Sequence, residues 1–389
     1  MTERDTSARK HWIAVSAVAL GTFLLVTAEQ LPIGLLTPVG SALSVSEGAA
    51  GLMVTVPSIV AAVAAPVVPM LVGRMDRRLL LVTLMALMTL ANLASALAPN
   101  YPLLITARVL VGVAIGGFWA IAGGLAVRLV PSRVPQATAI IFGGVGAANV
   151  FGVPIGTMIG GLASWRIAFG ALSALALAVL VALLAVLPPL TAAQPVGLRR
   201  LVGQFSNQGV RVGILATFLI VTGHFSAYTF ISPVLQELSG IDEHLIGPLL
   251  FGFGMAGIAG NFIAGATVVK RLHRTVLSIA AALGVTVLLY PVAGLTTVGG
   301  VTLLVVWGLA YGGVSTSLQT WMIKAAPQAV EEASALWVAV FNLSIGLGAL
   351  AGGAIVDALS LQGILWLAGV LLLAAGPAVW SARRNESLR

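Results

Sequence analysis

The chain of 389 residues is 59% hydrophobic and only 8% charged, with a net charge of +8 and a mean hydropathy of +1.06. Soluble proteins carry about 25% charged residues, so the composition excludes a soluble domain of this size and points to a polytopic membrane protein. There is no cysteine, which excludes disulfides and thiolate-bound metals, and His11, His224, His244 and His273 show no metal-ligand spacing.

A membrane-spanning helix needs about 20 apolar residues. Runs of that kind lie at 12–38, 48–72, 79–98, 102–130, 136–161 and 167–189, and again at 211–235, 246–269, 275–295, 299–323, 333–357 and 362–382. Twelve spans are therefore predicted. The runs are too long, and alternate too little, for a β-barrel. The first contains Glu29 and exceeds the apolar core of a cleavable signal.

Basic residues fall between the runs in alternation. Arg4, Arg9 and Lys10 precede the first, Arg74, Arg77 and Arg78 follow the second, and Arg128 and Arg133 follow the fourth. Then come Arg199, Arg200 and Arg211; Lys270, Arg271 and Arg274; Lys324; and Arg383, Arg384 and Arg389. This bias predicts that both termini are cytoplasmic. Short basic clusters between apolar runs suit an anionic lipid surface and not nucleic acid.

A repeat runs through the chain at a constant offset of 196 residues. Gly112, Gly116 and Gly117 correspond to Gly308, Gly312 and Gly313, Arg128 to Lys324, and Pro131 to Pro327. Six spans separate the copies, so both start on the same side, and the repeat is parallel. The expected organisation is a six-helix bundle over 1–190, a cytoplasmic linker over 191–208 and a second six-helix bundle over 209–389.

Two parallel six-helix halves with a basic loop after the second helix resemble the major facilitator superfamily. "GRMDRR" (73–78) is similar to that family's loop between its second and third helices, with Gly73, Asp76 and Arg77 as the matching members. The resemblance implies that Asp76 and Arg77 act in conformational change. "LLITARVLVGVAIGG" (103–117) resembles the fourth-helix signature with its intramembrane Arg108, and "GVPIG" (152–156) the Gly-Pro signature of antiporters. Within the drug–proton antiporter branch, "AEQLPIGLLTP" (28–38), "GGFWA" (116–120), "RLVP" (128–131) and "WRIAF" (165–169) look most like purine ribonucleoside exporters. Sugar and chloramphenicol exporters share part of the set. The implied function is proton-coupled export of a small neutral molecule, with purine ribonucleosides such as inosine favoured and sugar or drug efflux as the alternative. The expected partners are that substrate, protons and the lipid bilayer of a bacterial inner membrane, with no nucleic acid and no cofactor. The chain is expected to work as a monomer and not as an enzyme.

The residues themselves support this. Glu29 lies seven residues before Leu36, roughly 10 Å inside the run at about 1.5 Å per residue. A carboxylate at such depth costs about 2.5–3.5 kcal/mol, and glutamine would avoid that cost, so a proton-carrying role is expected. The resemblance agrees. Arg108, about 9 Å into the fourth helix, lies at similar depth and cannot shed its charge. It is the expected partner that tunes Glu29.

Gly112 with Gly116, and Gly308 with Gly312, permit close helix packing. Gly152, Pro154 and Gly156 form a denser run, which together with the resemblance reads as a flexible interface between the halves. Trp119, Asn149, His224, Tyr228, Gln319, Trp337 and Asn342 are polar or aromatic residues well inside helices, and with Trp307 they offer stacking faces and amide edges for substrate. His224 and Tyr228 share a helix face, and His224 is also a candidate secondary proton site. Trp12 and Trp321 are expected in the interfacial belt. There is no phosphate-cradling lysine loop for ATP hydrolysis.

Overall fold

A computed structural model describes residues 3–73, 75–190 and 198–382. The side chains of Arg4, Arg9, Lys10, Arg74, Arg199, Arg383, Arg384 and Arg389, and the linker segment 191–197, lie outside the described residues. The first half comprises α1 (Glu3–Leu43), α2 (Glu47–Val72), α3 (Arg77–Leu97), α4 (Tyr101–Leu129), α5 (Val134–Ala147), a π-helical turn (Ala148–Gly152), α6 (Val153–Leu162) and α7 (Trp165–Val186). After the short α8 (Leu198–Gly203) come α9 (Gln208–Tyr228), α10 (Ile231–Pro233), a second π turn (Val234–Leu238) and α11 (Glu243–Ala293). They are followed by α12 (Thr297–Gly312), α13 (Val314–Ala325), α14 (Val330–Ala358) and α15 (Leu361–Ser381).

In hydrocarbon every backbone polar group must bond internally, so long apolar runs become helices. Their ends need separate partners, and short polar residues between the runs supply them. Ser46, Asp76, Asn100, Ser164, Asn207, Thr296 and Ser360 each accept a backbone N–H at the start of the following helix. Gly73 ends α2 at φ +49°, a conformation that side chains other than glycine's disfavour.

Among the described residues eleven helical spans are long and apolar enough to cross a membrane, counting α5 through α6 as one and α12 with α13 as one. One of them, α11, has 51 residues and breaks at Arg271 (φ −142°, ψ 49°). At about 1.5 Å per residue it is twice the length a bilayer needs. The predicted eighth and ninth runs meet at that break, so the twelve apolar runs are spread over these eleven helical spans.

The sequence repeat reappears as repeated packing. A Cβ on Gly112 would lie 2.5 Å from the Pro57 carbonyl oxygen, and one on Gly116 would lie 2.5 Å from that of Ala61. In the second half, Gly308 and Gly312 stand in the same relation to the carbonyls of Phe253 and Gly257. These neighbours are themselves related by the 196-residue offset. In each half the glycines let the fourth helix approach the second, backbone against backbone.

The halves meet along α2 against α14, and along α6 with its π turn against α11. Ser46 Oγ donates to Asp357 Oδ2 at 2.7 Å, and the Gly48 N–H donates to Asp357 Oδ1 at 3.0 Å. The aspartate of α14 thus caps the N-terminus of a helix in the other half. Gly48 and Gly353 pass backbone to backbone, and the ring of Phe230 is lodged between Gly51 and Gly352. Deeper along the seam Gly346 meets Ile59, Gly247 meets Met158, and Gly254 meets Asn149. Towards the opposite end, Gly143 and Gly146 of α5 and Gly265 of α11 face open space. The molecule is shut at the Asp357 end.

Candidate functional site

Glu29 is only 5% exposed, inside the shut part of the seam. Ser58 of α2 donates to Glu29 Oε1 at 3.2 Å and also lies 2.9 Å from the Val54 carbonyl. A hydroxyl has one hydrogen, so the two acceptors compete for it. A protonated Glu29 ends that competition. It donates to Ser58 Oγ, and the serine then serves Val54.

Arg108 is fully buried. Its Nη1 donates to the Ala28 carbonyl at 3.1 Å, and its Nη2 to Asn92 Oδ1 at 3.2 Å and Ser95 Oγ at 2.7 Å. The guanidinium lies over the Phe169 ring, 4.8 Å from the centroid. It ties α4 to α1, α3 and α7. The expected partnership with Glu29, whose contact the sequence left open, takes an indirect form: the arginine grips the carbonyl of the preceding residue, and no ion pair within 4.0 Å joins it to the Glu29 carboxylate. Since three acceptors on two helices share one planar fork, Arg108→Lys should lose the geometry while keeping the charge. The expected result is an inserted protein with transport reduced at least tenfold, about the effect of one lost charged hydrogen bond. Wild-type rates measured in vesicles at equal protein content would remove Arg108 from the mechanism.

Across the seam the second half presents an aromatic cluster. His224 stacks on Tyr311 with centroids 3.5 Å apart and planes 8° apart, and on Tyr228 at 4.8 Å and 22°. Phe253 stacks on Tyr228 at 4.7 Å, and Trp307 meets His224 edge-on at 5.7 Å. The Trp307 indole N–H donates to His224 Nδ1 at 3.0 Å. The helix that carries Glu29, α1, packs against α10 and α11 of the second half, so the carboxylate and the aromatic wall belong to one central region.

The remaining candidates are scattered. Trp119 packs on Phe142 at 5.7 Å, and Trp337 on Phe341 at 5.2 Å. Asn149 and Asn342 donate to carbonyls one turn back in their own helices, those of Val145 and Val338. Gln319 is half-buried on α13. Gly152 and Gly156 do not face the other half, since they receive Thr27 and Leu31 of α1. The contact across the seam is made instead by Asn149, the carbonyl of Pro154, and Met158. The π turn ahead of Pro154, whose missing N–H breaks the helical ladder, turns that face outward.

Asp76 caps its own helix through the Arg78 N–H at 2.7 Å and accepts the Leu190 N–H at 3.0 Å. The buried Arg77 bonds the Leu190 carbonyl through its own N–H at 2.9 Å. The loop is therefore fastened within the first half. Trp321 is not a belt residue: it is fully buried, its indole donates to the Gly209 carbonyl at 2.9 Å, and its ring meets His273 at 4.7 Å. Trp12 is half-buried.

The reading of the sequence missed Ser58, Asn92, Ser95, Phe253 and Tyr311. Asn92 and Ser95 carried a signal, as two polar residues three apart on one face of an apolar helix. Ser58 carried none, because a serine in a helix ordinarily bonds its own backbone.

Comparison with known proteins then bears on these features. The profile of the Major Facilitator Superfamily matches residues 18–331. The purine ribonucleoside efflux pump NepI of Salmonella paratyphi A (strain ATCC 9150 / SARB42) is 32% identical over 370 residues, covering 95% of this chain and 93% of that protein. The same pump from Salmonella enteritidis PT4 (strain P125109) matches equally well, at 32% over 370 residues. Among solved structures, a bacterial homologue of the human lysosomal transporter Spinster, inward-facing and unoccupied, superposes with a TM-score of 0.76 at 14% identity, covering 96% of this chain and 97% of that one. The human organic anion transporter MFSD10 superposes at 0.67, also at 14% identity, covering 97% of this chain and all of that one.

Proposed function

We propose, from the premise that the chain belongs to the Major Facilitator Superfamily and is a multi-pass membrane transporter, that it exports purine ribonucleosides such as inosine in exchange for protons. The observation that carries this reading is Glu29. Among the described residues all other acids lie at helix ends or between helices, whereas Glu29 stands buried where the halves meet. Its partner, the Ser58 hydroxyl, accommodates the carboxylate and the carboxylic acid alike. One group can therefore hold a proton in one state of the seam and release it in another.

In this scheme the Arg78 end faces the cytoplasm, as the bias in Lys and Arg supports. Substrate enters the gap between the halves, and Glu29 gives its proton to the cytoplasm. Rocking of the halves then parts the seam at Asp357, substrate leaves, and Glu29 is reprotonated from outside. Arg108 fixes the height of the Glu29 backbone and supplies nearby positive charge. The ring stack of His224, Tyr228, Phe253 and Tyr311 suits a flat base better than a sugar, and the 32% identity to nucleoside pumps supports the same choice.

The test is uptake of labelled inosine into inverted vesicles containing the protein, with and without an inside-acid gradient. Uptake that needs both protein and gradient is the expected result. Gradient-driven uptake of sugars or chloramphenicol without inosine would keep the antiporter and discard the nucleoside.

A further inference from the structure

We infer that Trp307 is a positioning residue which fixes His224 as a permanent, uncharged hydrogen-bond donor, and that the ligand at this point is a neutral planar molecule offering an acceptor. The inference deepens the proposed function and rests on its placing of substrate in the central region.

An indole N–H can only donate, so the nitrogen that receives it must carry a lone pair. Trp307 donates to His224 Nδ1 at 3.0 Å, which puts the ring hydrogen of the neutral imidazole on Nε2. That atom is buried and has no hydrogen-bond partner among the described residues. A second proton on Nδ1 would set N–H against N–H, and Trp307 is itself fully buried with Gly308 pressed on the Phe253 carbonyl behind it. The pairing therefore opposes the imidazolium and argues against the secondary proton role expected from the sequence.

The ring has little freedom to escape. Tyr311 and Tyr228 stack on it, and Phe225 meets it edge-on at 4.9 Å. The titratable groups that face it are the hydroxyls of Tyr228, on its own helix, and Tyr311 on α12; from the first half the titratable group is Glu29 on α1, the helix that packs against α11. Phe253 of α11 and Trp307 of α12 bring no charge. A buried donor without a partner is costly, and it discriminates strongly for a ligand that supplies the acceptor. Ring nitrogens and carbonyl oxygens of a base qualify. An edge made only of N–H groups does not.

Two measurements test this. The first uses the intact protein labelled with 15N-histidine, in which one imidazole should hold the Nε2–H tautomer from about pH 5 to 8, while an ordinary histidine titrates near 6.5. Trp307→Phe should let that ring titrate. An Nδ1–H tautomer or an imidazolium at neutral pH in the wild-type protein would overturn the inference with no variant needed. The second compares inosine with its 7-deaza, 3-deaza and 6-deoxo analogues as substrates. One analogue should lose about tenfold in apparent affinity in the wild type, with that difference absent in His224→Phe. If no analogue separates the two proteins, the donor role is wrong. If the wild type binds no purine riboside, the nucleoside reading and the ligand part of the inference fall together, while the 15N spectrum still decides the tautomer.

Discussion

Glu29→Gln is expected to reduce gradient-driven export to the level of vesicles lacking the protein. The amide has nearly the shape of the acid. It can accept from the Ser58 hydroxyl, or donate to Ser58 Oγ and leave that hydroxyl for Val54. The contacts that hold α1 to α2 at this height therefore survive, and the protein should insert in normal amount. What disappears is the one titratable group within the central region that can exchange a proton on each cycle. Exchange of labelled for unlabelled substrate across the membrane, which needs no net proton movement, should persist. That split separates loss of coupling from loss of fold, and full gradient-driven accumulation in the variant would end the role given to Glu29.

The second large effect is expected at the seam. Gly48 is buried against the other half, and a Cβ there would lie 2.3 Å from the Gly353 carbonyl oxygen and 2.5 Å from the Asp357 carboxylate carbon. Gly48→Val therefore places a wedge where both the backbone contact and the aspartate cap close the Asp357 end. Overpacking of this kind costs about 1–3 kcal/mol, enough to move a two-state population by roughly 5- to 150-fold. The rest of each half is untouched, so the protein should remain folded with the seam biased open and transport reduced. The chain contains no cysteine, which gives a clean reporter: Thr55→Cys, at a position 3% exposed in the closed seam. A membrane-impermeant maleimide applied from the Asp357 side should label it slowly alone and rapidly beside Gly48→Val. Equal labelling in the two backgrounds would mean that this contact does not govern closure.

Much of the architecture is legible in the sequence, for a physical reason. The bilayer imposes its solvent on every residue, so apolar length alone marks a span, and a polar residue between runs marks a cap. Glu29 and Arg108 stood out by the same logic, because a charge in hydrocarbon needs a cause. The paired glycines of the fourth and tenth runs were readable as packing positions, and the carbonyls they meet repeat at the same offset as the glycines themselves.

What the sequence withheld is the choice of partner. Hydropathy reports how one segment relates to lipid and says nothing of which helix lies beside it. Trp321, four residues from the end of its helix, had the pattern of a belt residue until the first turn of α9 presented the Gly209 carbonyl. Gly152 and Gly156 had the density of an interface, and it was the π turn that aimed them at α1 and gave the seam to Asn149, Pro154 and Met158. Tyr311 looked like any aromatic in an apolar run until α12 laid it on His224. Composition, spans, repeat and the two intramembrane charges were determined by the chain on its own. The Asp357 cap, the Ser58 hydroxyl and the fixed tautomer of His224 join residues 29 to 311 positions apart, and only packing of the helices in three dimensions could decide them.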